Sequence, residues 1–152
     1  METNTTEITI APLTVRQLGP EDRPALYDLR LRILRPNRPP EAAHFPGDDV
    51  PTTVHLGAFT PQNRCVGITT LVENHGLQLR GMAVDTDVQK QGVGAVILAE
   101  AHRVARERGF AELWCNARVY AMPFYERAGW LAEGEEFEVP DVGPHYIMRK
   151  QL

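Results

Sequence analysis

The chain has little cysteine, no excess of positive charge and no long hydrophobic run, and each shortage removes a class of protein. Only two cysteines occur among 152 residues. Cys65 and Cys115 lie far apart in apolar stretches without C-x-x-C spacing. That points to buried thiols rather than a disulfide or a metal site, and fits a reducing compartment. The net charge of −4 argues against broad nucleic-acid affinity, which needs a concentrated basic surface. No stretch approaches the roughly 20 apolar residues that cross a bilayer. The opening METNTTEITIAP lacks the basic-then-apolar order of a secretory signal, so the expected location is cytoplasmic. No set of His, Cys and Asp has metal-ligand spacing, and no metal is expected.

What is present reads as one domain. Hydrophobic residues make up 43% and charged residues 24%, and the length suffices for a continuous core. Residues 1–12 are polar and are expected to form a flexible extension, with the domain over 13–152. Leu13 to Leu18 alternates as a strand does. Gly19-Pro20-Glu21-Asp22 then opens a helix whose apolar stripe is Leu26, Leu29, Ile33 and Leu34, and Pro36 ends it. The segment RPNRPPEAAHFPGDDVP, residues 35–51, carries five prolines. That density excludes a regular helix or a central strand and leaves a binding loop or an exposed connector.

Three strand-like runs follow, Val54 to Phe59, Cys65 to Val72 and Leu77 to Val84, with short breaks that suit an antiparallel meander. Ala95 to Arg108 reads as a helix ended by Gly109. Glu112 to Asn116 reads as a strand and Val119 to Ala128 as a short helix. Trp130 to Val139 and His145 to Lys150 make two last strands. This order predicts an α/β fold: a mixed, mostly antiparallel, twisted sheet of about seven strands with helices on its faces.

Between the third run and the long helix stands QKQGVGAV, residues 89–96. Glycine inside a helix costs roughly 0.5–1 kcal/mol relative to alanine, so two glycines here call for a reason. The dinucleotide fingerprint fails, because Ile97 stands where a third glycine is needed, and the Lys-Ser/Thr pair of a Walker loop is missing. What remains is a strand, a loop, two glycines and a helix start. That geometry bares N–H groups for a phosphate, or else serves only packing and capping.

The stretch VDTDVQKQGVGAVILAEAHRVARERGF followed by LWCNARVYAMPFYERAGW resembles the GNAT superfamily of acyl-CoA-dependent N-acetyltransferases. Gln89 to Gly94 matches its Gln/Arg-x-x-Gly-x-Gly/Ala turn. Asn116, Ala117, Phe124, Tyr125 and Gly129 match its downstream strand and short helix. The match is strong from Gly81 to Trp130 and rests on element order alone from Leu13 to Lys150. The resemblance implies a sheet splayed at its centre, and acetyl-CoA as cosubstrate with its pyrophosphate on Gln89, Lys90, Gln91, Gly92, Val93 and Gly94. It further implies a pantetheine arm along Met82, Ala83 and Val84, with Asn116 contacting that arm or ordering the splay. It makes Tyr125 the general acid that protonates the departing thiolate; without the resemblance, Tyr125 reads as a packed aromatic.

The acceptor would be a primary amine, reached by direct transfer in a ternary complex. Cys115 lacks a partner that would lower its pKa, so a packed thiol is the better reading than a covalent nucleophile. Glu73, at the end of a strand, is a candidate general base or simply a turn residue. His44, His55 and His145 are candidate pocket residues, and Asp48 and Asp49 either border the pocket or form a charged loop tip. The overall negative charge favours a cationic acceptor. The rival functions are a non-catalytic acyl-CoA-binding module acting through a protein partner, and a transferase of longer acyl groups. A homodimer is expected because sheet edges invite pairing.

Overall fold

The computed structural model describes residues 10–152. Seven strands form one sheet: β1 (Thr14–Gln17), β2 (Val54–Phe59), β3 (Cys65–Glu73), β4 (Leu77–Val84), β5 (Glu112–Arg118), β6 (Leu131–Val139) and β7 (Gly143–Gln151). Their spatial order is β1-β2-β3-β4-β5-β7-β6. All neighbours are antiparallel except β4 and β5. The last strand in sequence is therefore inserted beside β5, and β6 is left as the edge. Of the 1–12 extension, residues 1–9 lie outside the described residues, while Ile10 is buried against Ala58 and Val66.

Helices cover both faces. On one face α2 (Val93–Glu107) and α3 (Met122–Arg127) bury Leu98, Ala101 and Tyr125 against Leu71, Leu79 and Leu113. On the other, Leu26 and Leu29 of α1 (Arg23–Leu29) pack on Phe59, Ile68 and Ala83. The predicted first helix continues past Leu29 as a π-helical turn, Arg30–Leu34. This places the guanidinium of Arg30, fully buried, beneath the proline-rich segment. There it holds both carboxylate oxygens of Asp48 at 2.6 and 3.0 Å and also donates to the Ala43 carbonyl and to Thr70 Oγ1. The ring of Phe45 lies 3.9 Å from the guanidinium carbon. A buried pair of this kind loses several kcal/mol if one partner is removed, so it fastens the segment to the body of the protein.

One irregularity shapes the centre. Between Ile68 opposite Ala83 and Thr70 opposite Arg80, β4 carries an extra residue. Gly81 has φ +67° there, and a Cβ on it would lie 3.1 Å from Phe45. Such a bulge bends its strand. Thr69 Oγ1 donates to the Arg80 carbonyl at 3.1 Å and holds the bulge in place. Beyond it β4 and β5 diverge: Gln78 opposite Trp114 is their single registered pair.

Candidate active site

A cleft of about 1350 Å³ fills the gap between the diverging strands. On its β5 side, β4 beyond Gln78 has no registered partner, so alternate main-chain groups along Met82, Ala83 and Val84 face the opening while the others pair with β3. Unpaired strand backbone seeks a partner with peptide-like donors and acceptors.

The glycine turn closes one end of the cleft. Asp85, after β4, anchors it by accepting from the Thr86 N–H at 2.9 Å and from Arg32 and Arg64 at 2.9–3.1 Å. The Arg32 guanidinium, with Arg64, holds the Asp85 carboxyl down at about 2. Gln89 Nε2 then donates back to the Val84 carbonyl at 3.0 Å. Lys90 and Gly92 have φ +67° and +84°, conformations that turn successive N–H groups to one side. The first helical bond of this turn is from Val96 N to Gly92 O, so the N–H groups of Val93, Gly94 and Ala95 have no helical acceptor. Gly94 is needed for a separate reason, because a Cβ there would stand 3.1 Å from the Phe124 ring. Gln89, Lys90, Gly92, Val93 and Gly94 line the cleft; Gln91 is exposed and does not.

Tyr125 lines the deep wall. Its side chain is buried against Trp130, 5.2 Å away, and Phe124, 5.0 Å away between ring centres. Burial, and then its neighbours Cys115 and Tyr120, push its phenol up from the ordinary value. Asn116 lies on the opposite wall, with its side chain exposed to the cleft. Cys115 is buried on the side of β5 that α2 and α3 cover, and burial pushes its thiol up to about 12. A thiol so rarely ionised is a poor nucleophile.

The acceptor residues expected from the sequence separate. Only His145 lines the cleft. It is buried, sits across from Arg118 on β5, and donates from Nδ1 to the Gly143 carbonyl at 2.8 Å. A carbonyl can only accept, so the neutral ring carries its proton on Nδ1 and leaves a lone pair on Nε2. Glu73 is not brought to the cleft. It ends β3 opposite Leu77, and although its neighbour Asn74 lines the cleft, Glu73 does not. There Glu73 accepts from Arg108 at 3.1 Å. His55 is also elsewhere: both its ring nitrogens are engaged, at 2.8 Å by Thr70 Oγ1 and at 3.0 Å by the Asp48 carbonyl. Burial lowers its pKa. His44 is exposed and stacks on Tyr27. Asp48 is spent on Arg30, Asp49 pairs with Arg23 at the surface, and neither lines the cleft.

Other cleft residues went unremarked in the sequence. His102, from α2, lines the cleft and accepts the Trp130 indole proton. Arg35, Arg80, Arg118 and Arg127 also line the cleft. Arg118 and His145 become neighbours only through the β5–β7 register, which no local spacing encodes.

The acetyltransferase (GNAT) domain family matches residues 51–152. The chain belongs to the GNAT family. It is 32% identical over 151 residues to YitI, an uncharacterised N-acetyltransferase of Bacillus subtilis (strain 168), covering 92% of this chain and 97% of that one. The GNAT fold is shared with an acyl-CoA N-acyltransferase from Pseudomonas aeruginosa, at TM-score 0.76 and 20% identity over 91% of this chain and 97% of the other. It is shared too with an aminoglycoside 6'-N-acetyltransferase complexed with coenzyme A, at TM-score 0.75 and 14% identity over 91% and 96%. A GNAT domain takes acetyl-CoA as cosubstrate, and two features of this chain fit it: the bared N–H groups at 93–95 for phosphate and the unpaired edge of β4 for an amide-bearing arm. Among the described residues no group of three His, Cys, Asp or Glu is placed to hold a metal ion. No helix among them is long and apolar enough to cross a membrane.

Proposed function

We propose that this chain moves an acetyl group from acetyl-CoA to a primary amine by direct transfer in a ternary complex. The observation that carries this reading is the confluence, in one cleft, of the glycine turn, the open edge of β4 and the buried Tyr125. Bound acetyl-CoA supplies the acetyl group as a thioester. The N–H groups after Gly92 hold its pyrophosphate, and the backbone of Met82 to Val84 pairs with its arm. Residues 89–94 act here as one cradle, with Gln91 on its outer side.

Tyr125 donates to the sulfur as the thiolate leaves. An ordinary phenol titrates near 10 and a thiol near 8.5, and burial pushes this phenol higher, so it stays protonated at any working pH. The same dry surroundings also disfavour a bare thiolate, which narrows the gap that the proton must cross. His145, through the lone pair on Nε2, accepts the proton that the amine sheds, in place of Glu73. Positioned proton transfer of this kind typically contributes about 10²–10⁴-fold.

Thiol release from acetyl-CoA across a panel of amines, measured beside acetyl-CoA binding by calorimetry, tests this reading. Tyr125→Phe should lower kcat at least tenfold with little change in acetyl-CoA affinity. His145→Gln, which removes the basic ring nitrogen, should lower kcat/KM at least tenfold. An unchanged kcat in Tyr125→Phe at every pH would remove Tyr125 from the chemistry. Tight acetyl-CoA binding without turnover on any amine would make the domain a binding module.

A further inference from the structure

The acceptor end of the cleft has a charge that the rest of the molecule does not prepare one for. The chain is acidic overall, with net charge −4, yet among the described residues no Asp or Glu lines the cleft while Arg35, Arg80, Arg118 and Arg127 do. Eight other arginines hold a carboxylate, Arg16, Arg30, Arg32, Arg64, Arg103 and Arg149 at 2.6–2.9 Å and Arg23 and Arg108 at 3.1 Å, while Arg38 and Arg106, outside the cleft, hold none among the described residues. Among the described residues, Arg35, Arg80 and Arg118 bond only to neutral oxygens, and Arg127 also lacks a carboxylate. Arg35 Nη1 donates to the Leu34 carbonyl at 3.1 Å. Arg80 donates to the Pro46 carbonyl at 2.7 Å and to Gln78 Oε1 at 2.5 Å. Arg118 donates to the Leu34 carbonyl at 3.1 Å and to the Tyr120 hydroxyl at 3.2 Å.

These contacts gather the three cations around one spot. Arg35 and Arg118 meet at Leu34, and Arg35 also approaches the Phe45 ring, 5.4 Å from its centre, while Arg80 grips the adjoining Pro46. Arg35 and Arg80 are half-buried, and Arg118 is partly so. Burial pushes the guanidinium of Arg35 below its ordinary value, and then Arg118, Arg38 and Arg30 push it further; burial does the same to Arg80. Like charges held together in a partly dry wall are costly unless an anion joins them. A guanidinium offers a planar fork that matches a carboxylate, and two or three such forks around one cleft specify it by geometry as well as charge.

We infer that the amine acceptor also carries a carboxylate, and that Arg35, Arg80 and Arg118 hold that carboxylate while His145, across the sheet from Arg118, faces the amine. The acceptor class is therefore an amino acid, an ω-amino acid or a peptide with a free acid group, rather than a polyamine or another wholly cationic amine. This reverses the expectation drawn from overall charge, because a partly enclosed cleft feels its own lining more than the distant surface. The inference rests on the transferase reading for its amine and on the unpaired arginines for its acid.

The experiment compares matched acceptors by thiol release: α- and ω-amino acids against their carboxamides, and 6-aminohexanoate against 1,6-diaminohexane. The best acid should exceed its neutral partner in kcat/KM by at least thirtyfold, and the diamine should be poorer still. Arg118→Gln and Arg35→Gln should each reduce that acid-to-amide ratio at least tenfold without changing acetyl-CoA affinity. Arg35→Lys, which keeps the charge, should retain more of the ratio than Arg35→Gln. Equal or better turnover of amides or diamines by the unaltered protein would overturn the inference. So would a parallel loss of acetyl-CoA affinity in the arginine variants, which would assign them to the cosubstrate phosphates. If no amine is acetylated, calorimetry with the same acids on CoA-saturated protein decides separately. Binding abolished by Arg118→Gln would support the anion site while the transferase reading fails, and no binding would overturn both.

Discussion

The indole N–H of Trp130 donates to Nε2 of His102 at 3.1 Å, inside the core beside the cleft. Indole can only donate, so this nitrogen must keep its lone pair and His102 must stay neutral. Burial, and then the positive charges of Lys150 and Arg106, hold its pKa down at about 4. The unfolded chain, with an ordinary histidine near 6.5, binds that proton more readily. Stability is therefore fully present above about pH 6.5 and is lost as pH falls toward 4, by roughly 3 kcal/mol in total. His102→Gln keeps an acceptor for the indole but cannot titrate. Urea unfolding between pH 4 and 7 should show a flatter pH dependence in that variant than in the parent; equal slopes would deny His102 this part.

The two glycines of the turn should fail differently when changed. Gly92 has φ +84° and open space around the position of a Cβ, so Gly92→Ala strains the backbone by about 1–2 kcal/mol and touches nothing else. Its KM for acetyl-CoA should rise about tenfold with kcat nearly kept. Gly94→Ala instead drives a methyl to 3.1 Å from the ring of Phe124, which packs edge-on against Tyr125. It should lower kcat as well as raise KM. Steady-state kinetics with acetyl-CoA varied separates the two, and a wild-type KM in Gly92→Ala would dismiss the cradle.

Cys115 should prove dispensable. Its thiol, held near 12 by burial, contributes packing rather than chemistry. Cys115→Ala should cost about 1 kcal/mol of stability and keep kcat within about threefold at temperatures well below unfolding. Mass spectrometry of the parent mixed with acetyl-CoA should find no acetyl-enzyme. An acetylated Cys115 that chases into product would instead establish a two-step route.

Local signals carried most of the fold. Alternation and turn residues delimit β2 and β4 to the residue, and the glycine turn and the downstream block hold residues that line one cleft. What escaped was set by partners distant in the chain. Asp48 stays open in the sequence, as a pocket acid or a loop-tip charge, because Arg30, its partner, lies 18 residues earlier in a stretch that reads as a helix. Glu73 stays open in the sequence, as a candidate base or a turn residue, because Arg108, 35 residues on, does not declare itself as a partner. The insertion of β7 between β5 and β6 leaves no mark on the chain, yet it alone sets His145 beside Arg118. The unpaired arginines were hidden for the same reason: being unpaired is a property of surroundings, not of a residue.

The lone registered pair between Gln78 and Trp114 has a mechanical meaning. Four strands lie on one side of it and three on the other, so the sheet is two panels meeting along a seam stitched at one end. A molecule with amide groups laid into the open part would serve as the missing strand and lock the panels together. The seam would then be at once the weakest line of the architecture and the place where its work is done, with the cosubstrate acting as the keystone that closes it.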